Sequence, residues 1–254
     1  MVHAARASHV GSCLSMMDML AVLYGAGVIR VDPQRPDDPG RDRFILSKGH
    51  AAAALYACLA KVGFFPEEWL ESYCQDGAHL GGHATHHGVP GVEFSTGSLG
   101  HGLGLGCGVA LAGRGAPNPF RAFVMLSDGE CDEGSTWEAA LFAGHHRLSN
   151  LIALVDHNKI QSFGRVEDVL RLEPFADKWR AFGWEVREVD GHDHAGLAAT
   201  LAQLPFAADK PSVLIGHTVK GKGVSFMEDR LLWHYRSPDA AELGRALREL
   251  GFDS

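Results

Sequence analysis

Cysteine is scarce and poorly placed for cross-linking. The five residues Cys13, Cys58, Cys74, Cys107 and Cys131 are odd in number, widely spaced and without a C-x-x-C pair. That excludes a disulfide framework and a zinc ribbon and predicts a reducing, cytoplasmic setting. Positive charge is also short: 23 Lys and Arg stand against 31 Asp and Glu, a formal net charge of -8. No global field therefore draws the chain to nucleic acid or an anionic membrane, and only a local basic site for a phosphate stays open. No apolar run is long enough to cross a bilayer. "AAAALYACLA" is far too short, and "LSMMDMLAVLYGAGVI" carries Asp18 and lacks an A-x-A cleavage site, so it reads as an amphipathic first helix rather than a signal peptide. The dinucleotide fingerprint G-x-G-x-x-G is missing as well. Starting at Gly100, Gly102 or Gly104, its last glycine falls on Leu105, Cys107 or Val109.

What is present is an ordinary globular composition, 46% hydrophobic and 21% charged over 254 residues, enough to bury a sizeable core in one domain spanning 1–254. Five short apolar runs bounded by turn residues read as strands: 43–47, 121–127, 150–156, 184–189 and 212–219. Trp137, Ala140, Leu141, Gly144 and Leu148 recur at helical spacing after Ser135, as do Phe175, Trp179 and Phe182 before Gly183. Asp193 is placed to cap a further helix, and the tail predicts a last one with Ser237 as cap, Pro238 in its first turn and Gly251 at its end. Alternating strands and helices predict an α/β fold, a doubly wound, mainly parallel sheet with helices on both faces. Ligands of such sheets collect at the carboxyl ends of the strands, where Asp128, Asp156 to Asn158 and Asp190 to Asp193 fall.

Residues 77–108 are rich in Gly and His with little periodicity before residue 99, which predicts a long ordered loop running into a helix. Gly100, Gly104 and Gly108 form a smooth helix face for close packing, against either another helix of the same chain or a neighbouring subunit. His79, His83, His86 and His87 invite a metal reading, but a glycine loop with no visible supporting partners argues against it. His145 and His146 read as packing or surface residues, His192 and His194 as turn and helix-start residues. "KGKG" at 220–223 reads as a solvated loop, with a phosphate contact as the alternative.

"SDGECDEG" ends one strand and "DHNKIQ" the next. If the two strands are neighbours in a βαβ unit, Asp128 and Asn158 converge. Their oxygens, with a backbone carbonyl, are hard ligands suited to Mg²⁺ or Ca²⁺, and Mg²⁺ commonly fills its remaining positions with water and phosphate oxygens. Gly129 leaves room for a diphosphate beside the backbone, with the start of the helix near Ser135 pointing its positive end that way. Asp and Asn are equally common as plain turn residues at strand ends, and these two residues alone do not decide between the readings.

The pair "SDGECDEG" and "HNKIQ" resembles the thiamin diphosphate signature of the transketolase family, and "SHVGSCLS" (8–15), "ILSKGHAA" (45–52) and "VEFSTGSLGHG" (92–102) match further family stretches in order. The likeness covers essentially the whole chain but only the amino-terminal, diphosphate-binding domain of a complete transketolase. It implies a thiamin diphosphate-binding fold, with Asp128, Asn158 and the Ile160 carbonyl as Mg²⁺ ligands and Gly129 and Asn158 touching diphosphate. It places His50 at the cofactor phosphates and reaction centre, and Gly97, Ser98 and Leu99 over the cofactor rings. His9, His50, His83 and His234 become proton-exchanging groups of the substrate channel, His234 also meeting the cofactor, a role suited to imidazoles near neutrality. Glu133 and Glu138 resemble carboxylates that run along the family's dimer contact.

The resemblance further implies a two-carbon ketol transferase acting on sugars or sugar phosphates. The glutamate that activates the cofactor sits in the family's pyrimidine domain, so the chain alone is expected to be inactive. A separate pyrimidine-binding, carboxy-terminal transketolase subunit is the expected partner, in an α2β2 assembly. The alternatives are an acyloin- or 1-deoxyketose-forming ligase using pyruvate, and a non-catalytic regulatory subunit. Departures from the family pattern are Ser127 in place of the first glycine of G-D-G, and Tyr235 and Arg236 after His234 where small residues are usual. With seven residues before "SHVG", a helical segment common in relatives is expected to be shortened or missing.

Overall fold

The computed structural model describes residues 1–252. The strands are β1 (Arg43–Leu46), β2 (Ala122–Ser127), β3 (Leu151–His157), the short β4 (Ile160–Gln161) and β5 (Gly164–Arg165), β6 (Glu185–Asp190) and β7 (Ser212–His217). The helices are α1 (Val2–Ala5), α2 (Val10–Gly25), α3 (Ala52–Val62), α4 (Gly102–Arg114), α5 (Gly134–His145), α6 (Val166–Val169), α7 (Phe175–Ala181), α8 (His194–Leu201) and α9 (Ala240–Glu249). Five strands pair in the order β1-β2-β3-β7-β6, every pair parallel. Each matches an expected run to within two residues. β4 and β5 form a separate antiparallel hairpin just past the end of β3.

Because side chains alternate along a strand, successive residues feed opposite cores. Leu46, Met125 and Leu154 pack with α2, α3 and α8 on one face, whereas Ile45, Val124 and Val155 pack with α4, α5 and α7 on the other. The central β3 is buried at every position, as a parallel strand covered on both faces must be. This is the expected α/β sheet with helices on both faces.

Two expectations change, and one choice left open is narrowed. α2 is not amphipathic: Met16, Met19, Leu20 and Leu23 face the sheet core, while Val10 and Leu14 pack against a third cluster containing Val224, Met227 and Trp233. The helix is enclosed because the 218–234 segment lies over its outer side. α9 is capped by Asp239 rather than Ser237. Asp239 Oδ1 accepts from the Glu242 N–H at 2.9 Å and Glu242 Oε2 accepts from the Asp239 N–H at 2.9 Å, a reciprocal box. Ser237 instead donates to the Val2 carbonyl at 3.1 Å. On α4, the inward glycines are Gly102, Gly106 and Gly113, a Cβ at Gly106 standing 2.5 Å from Val124, whereas Gly104 and Gly108 have nothing within 4 Å. The Gly104–Gly108 face is thus not the one that packs inside the chain.

Candidate active site

Ser127 pairs with Asp156 in the β2–β3 register, so the chain leaves two adjacent strands at the same sheet edge and delivers Asp128 and Asn158 together. Both side chains are buried and line a cavity of about 230 Å³. Asp128 accepts the N–H of Gly129 at 2.7 Å and that of Lys159 at 2.5 Å. Lys159 presents that N–H from a left-handed backbone, φ 67, a strain costing roughly 1–2 kcal/mol for a non-glycine residue. His9, which lines the cavity, is also left-handed at φ 72, and such strain tends to gather at functional sites. Ser127 is not left-handed, so the turn does not need glycine there. Its hydroxyl accepts the Glu130 N–H at 3.2 Å and closes the turn.

The cavity wall brings together His9, His50, His83 and His234 with Gly97, Leu99, Asp128, Gly129, Asn158 and Ile160. The four imidazoles form a cluster: ring centroids lie 5.0 Å apart for His9 and His50, 4.9 Å for His9 and His234, and 6.0 Å for His9 and His83. Ser98 does not line the cavity; it is exposed, its carbonyl 3.2 Å from the His101 ring. The loop carrying these residues is pinned from below. Tyr56 donates to the His83 carbonyl at 2.9 Å, and Thr96 donates to the Leu46 carbonyl at 2.6 Å. At Gly49, a Cβ would meet the Thr96 carbonyl oxygen at 2.3 Å, so only glycine lets that loop close over the cavity.

Burial dominates the electrostatics. It lowers the basicity of His9 to about 4, assisted by His83 and Lys220, and that of His234 to about 3, assisted by Lys220 and His9. His50 is pushed well below the usual range by burial and then by Lys48. These three imidazoles are neutral at pH 7, each able to accept at one nitrogen and donate at the other. Burial, with Asp156 next, raises Asp128 to about 6.

Two lysines join the site that the sequence does not mark as members. Lys48 is fully buried and pairs with Asp156. Lys220, expected in a solvated loop, is 1% exposed, and its Nζ donates to the Ile160 carbonyl and to His234 Nδ1, both at 2.9 Å. It lies across Gly11, where a Cβ would come within 3.2 Å of its Cγ. The glycines that follow it, Gly221 at φ 79 and Gly223 at φ 87, set the turn that tucks it inside. A lysine directly before a glycine-rich turn is the signal the sequence offers.

The donor set fits a hard cation beside a phosphate. Asp128 is a buried carboxylate with no ion-pair partner among the described residues, and it stands with a carboxamide oxygen and the Ile160 carbonyl. Gly129 keeps the floor open, since a Cβ there would lie 2.7 Å from Gln161 Cβ. Among the described residues no group of three or more His, Cys, Asp or Glu is placed to hold an ion, and of the histidines of the 77–108 loop His79 stacks on Trp69 at 3.9 Å. His145 and His146 are exposed. His194 opens α8 behind Asp193, which accepts from the Ala195 N–H at 3.1 Å. Glu133 and Glu138 are exposed.

The family model for the thiamine diphosphate binding domain of transketolase matches residues 1–254. The chain belongs to the transketolase family. It is 41% identical over 249 residues to an apulose-4-phosphate transketolase subunit of Phocaeicola vulgatus, covering 98% of this chain and 88% of that protein. It is 44% identical over 226 residues to a 6-deoxy-6-sulfo-D-fructose transketolase subunit of Clostridium sp. strain MSTE9, covering 89% and 82%. The transketolase of Leishmania mexicana superposes with a TM-score of 0.93 at 30% identity, over 99% of this chain and 39% of that one. That of Campylobacter jejuni gives 0.92 at 30% identity, over 99% and 40%. The chain spans about two-fifths of the length of these solved transketolases.

Proposed function

We propose that this chain is the diphosphate-binding subunit, one domain over 1–254, of a thiamin diphosphate- and Mg²⁺-dependent transketolase that moves a two-carbon ketol unit from a ketose to an aldose. The observation that carries the reading is the convergence of His9, His50, His83 and His234 around a cavity whose floor is Asp128, Gly129, Asn158 and Ile160. Asp128, Asn158 and the Ile160 carbonyl would hold Mg²⁺. Gly129, Asn158 and Lys220 would meet the diphosphate, and His50, His234, Gly97 and Leu99 the rest of the cofactor. Bound thiamin diphosphate supplies a nucleophilic carbon and an electron sink for cleaving the bond beside a ketose carbonyl. The protein's share is positioning and proton handling. His9, His50 and His234, neutral at working pH, accept protons from and donate them to the sugar's hydroxyl and carbonyl oxygens.

A companion chain carrying the pyrimidine-binding part completes the enzyme, in an α2β2 assembly. Support comes from relatives named as subunits, over 88% and 82% of whose length this chain runs. A cytoplasmic setting is supported by five free cysteines, four of them buried; no helix among the described residues is long and apolar enough to cross a membrane.

The test is co-purification with a pyrimidine-binding partner and assay of ketol transfer from a panel of ketose phosphates. Transfer is expected only when both chains, Mg²⁺ and thiamin diphosphate are present. Full transfer by this chain alone would remove the partner from the proposal. Carbon dioxide release from pyruvate, without ketose consumption, would replace the donor class, and unchanged activity in Asp128→Ala would make the subunit non-catalytic.

A further inference from the structure

Asn158 has two chemically different ends, and only its oxygen can ligate a cation. Three contacts agree on which way it faces. Its Nδ2 donates to Asp156 Oδ2 at 3.0 Å and to Ser15 Oγ at 3.1 Å, while its Oδ1 accepts the Ile160 N–H at 3.1 Å. Asp156 is fully buried and receives donors only. Lys48 Nζ and Asn158 Nδ2 reach Oδ2; Ser15 Oγ, at 2.5 Å, and Thr218 Oγ1 reach Oδ1. Since the Ser15 hydroxyl is spent on Asp156, what it offers Asn158 is a lone pair. Both groups facing Nδ2 are therefore acceptors, and a flipped amide would set its oxygen against a carboxylate and a hydroxyl lone pair.

We infer that Asp156, anchored by Lys48, Ser15 and Thr218, is the positioning residue that fixes the polarity of the Asn158 carboxamide and so presents its oxygen to the metal. Asp156 itself touches neither metal nor substrate. It works through Asn158 from two residues further back, with partners drawn from α2, the turn after β1 and the segment after β7. The inference rests on the proposed role of Asn158 as a Mg²⁺ ligand, and its test separates the two.

In the chain without metal, both Nδ2 protons of Asn158 are expected to exchange slowly with solvent, read by nuclear magnetic resonance of the side-chain amide. In the complex with thiamin diphosphate, Mg²⁺ affinity is read by calorimetry. Asp156→Asn, combined with Lys48→Met so that no buried cation is stranded, frees the amide to turn and is expected to weaken Mg²⁺ at least tenfold. The exchange Asp156→Asn with Asn158→Asp keeps one carboxylate for Lys48, puts a symmetric ligand at 158, and is expected to recover most of the affinity. Rapid exchange of the Asn158 amide in the unaltered chain would overturn the inference. So would unchanged Mg²⁺ affinity in folded Asp156→Asn/Lys48→Met, or failure of the exchanged pair to recover it. A protected amide in a complex that binds no Mg²⁺ would instead sink the metal role of Asn158 and leave the orientation standing.

Discussion

The Lys220 ammonium donates to Nδ1 of His234 across 2.9 Å, which assigns the ring proton of His234 to Nε2. The same ammonium donates to the Ile160 carbonyl. One buried cation thus touches both an imidazole of the proposed substrate channel and a carbonyl of the proposed metal site. Burial, with the neighbouring Lys48 next, brings its own pKa down to about 8.

Lys220→Met removes both contacts and the positive charge. It is expected to weaken thiamin diphosphate binding by the assembled enzyme by more than tenfold, measured by calorimetry. The His234 imidazole should titrate higher than in the unaltered chain, since one cause of its low basicity is gone. A His234 resonance that does not move would contradict this.

Binding of Mg²⁺ and cofactor should peak between about pH 6 and pH 8. Below the window Asp128, titrating at about 6, takes up a proton and loses its pull on a cation. Above it Lys220, titrating at about 8, loses the charge proposed to meet the diphosphate. Affinity measured from pH 5 to pH 9 checks both limbs, and Lys220→Met should erase the alkaline one alone.

Asp128 also makes stability depend on pH. Its folded pKa of about 6 lies above the ordinary 3.8, so between those values the folded chain binds more protons than the unfolded one and stability falls as pH rises. The loss approaches about 3 kcal/mol above pH 6, at 1.36 kcal/mol per unit. Urea unfolding of the metal-free chain should show this slope, and Asp128→Asn should flatten it.

Gly49→Ala forces a Cβ to within 2.3 Å of the Thr96 carbonyl oxygen, a backbone atom that cannot turn aside. Overpacking of this kind costs about 3 kcal/mol at the upper end of its usual range, which corresponds to a Tm lower by roughly 6–12 °C. Cofactor affinity should fall with it, because Gly97 is the next residue. Thermal unfolding and calorimetry on one preparation measure both.

Removing a single channel imidazole, as in His9→Ala or His83→Ala, should lower kcat of the complex by ~10²–10⁴ with secondary structure intact. Because His9 titrates at about 4, its protonation should not produce an activity loss near pH 6.5.

Much of this is legible in the residues themselves. All five strands of the main sheet coincide with short apolar runs, since each is a contiguous, turn-bounded segment, buried along most of its length in every strand but the edge strand β6. The meeting of Asp128 with Asn158 follows from two such strands being neighbours. Strand order is not legible, because nothing local distinguishes β7 lying between β3 and β6 from any other arrangement. Lys48 and Lys220 escape a sequence reading for a related reason. Lysine is ordinarily a solvated residue, and its burial here depends on Asp156, Ile160 and His234, all distant in sequence. Ser237 competes with Asp239 as a cap because Pro238 suits a first helical turn, yet only Asp239 stands three residues before Glu242.

The cavity draws on the chain from His9 to His234, through segments that meet only when the parallel sheet is complete. Pairings between such remote segments form late and slowly, since loop closure must precede any reward from contact. Ligand-dependent fluorescence during refolding is therefore expected to trail the return of helical signal. The pocket's completion then serves as a clock for the last step of folding.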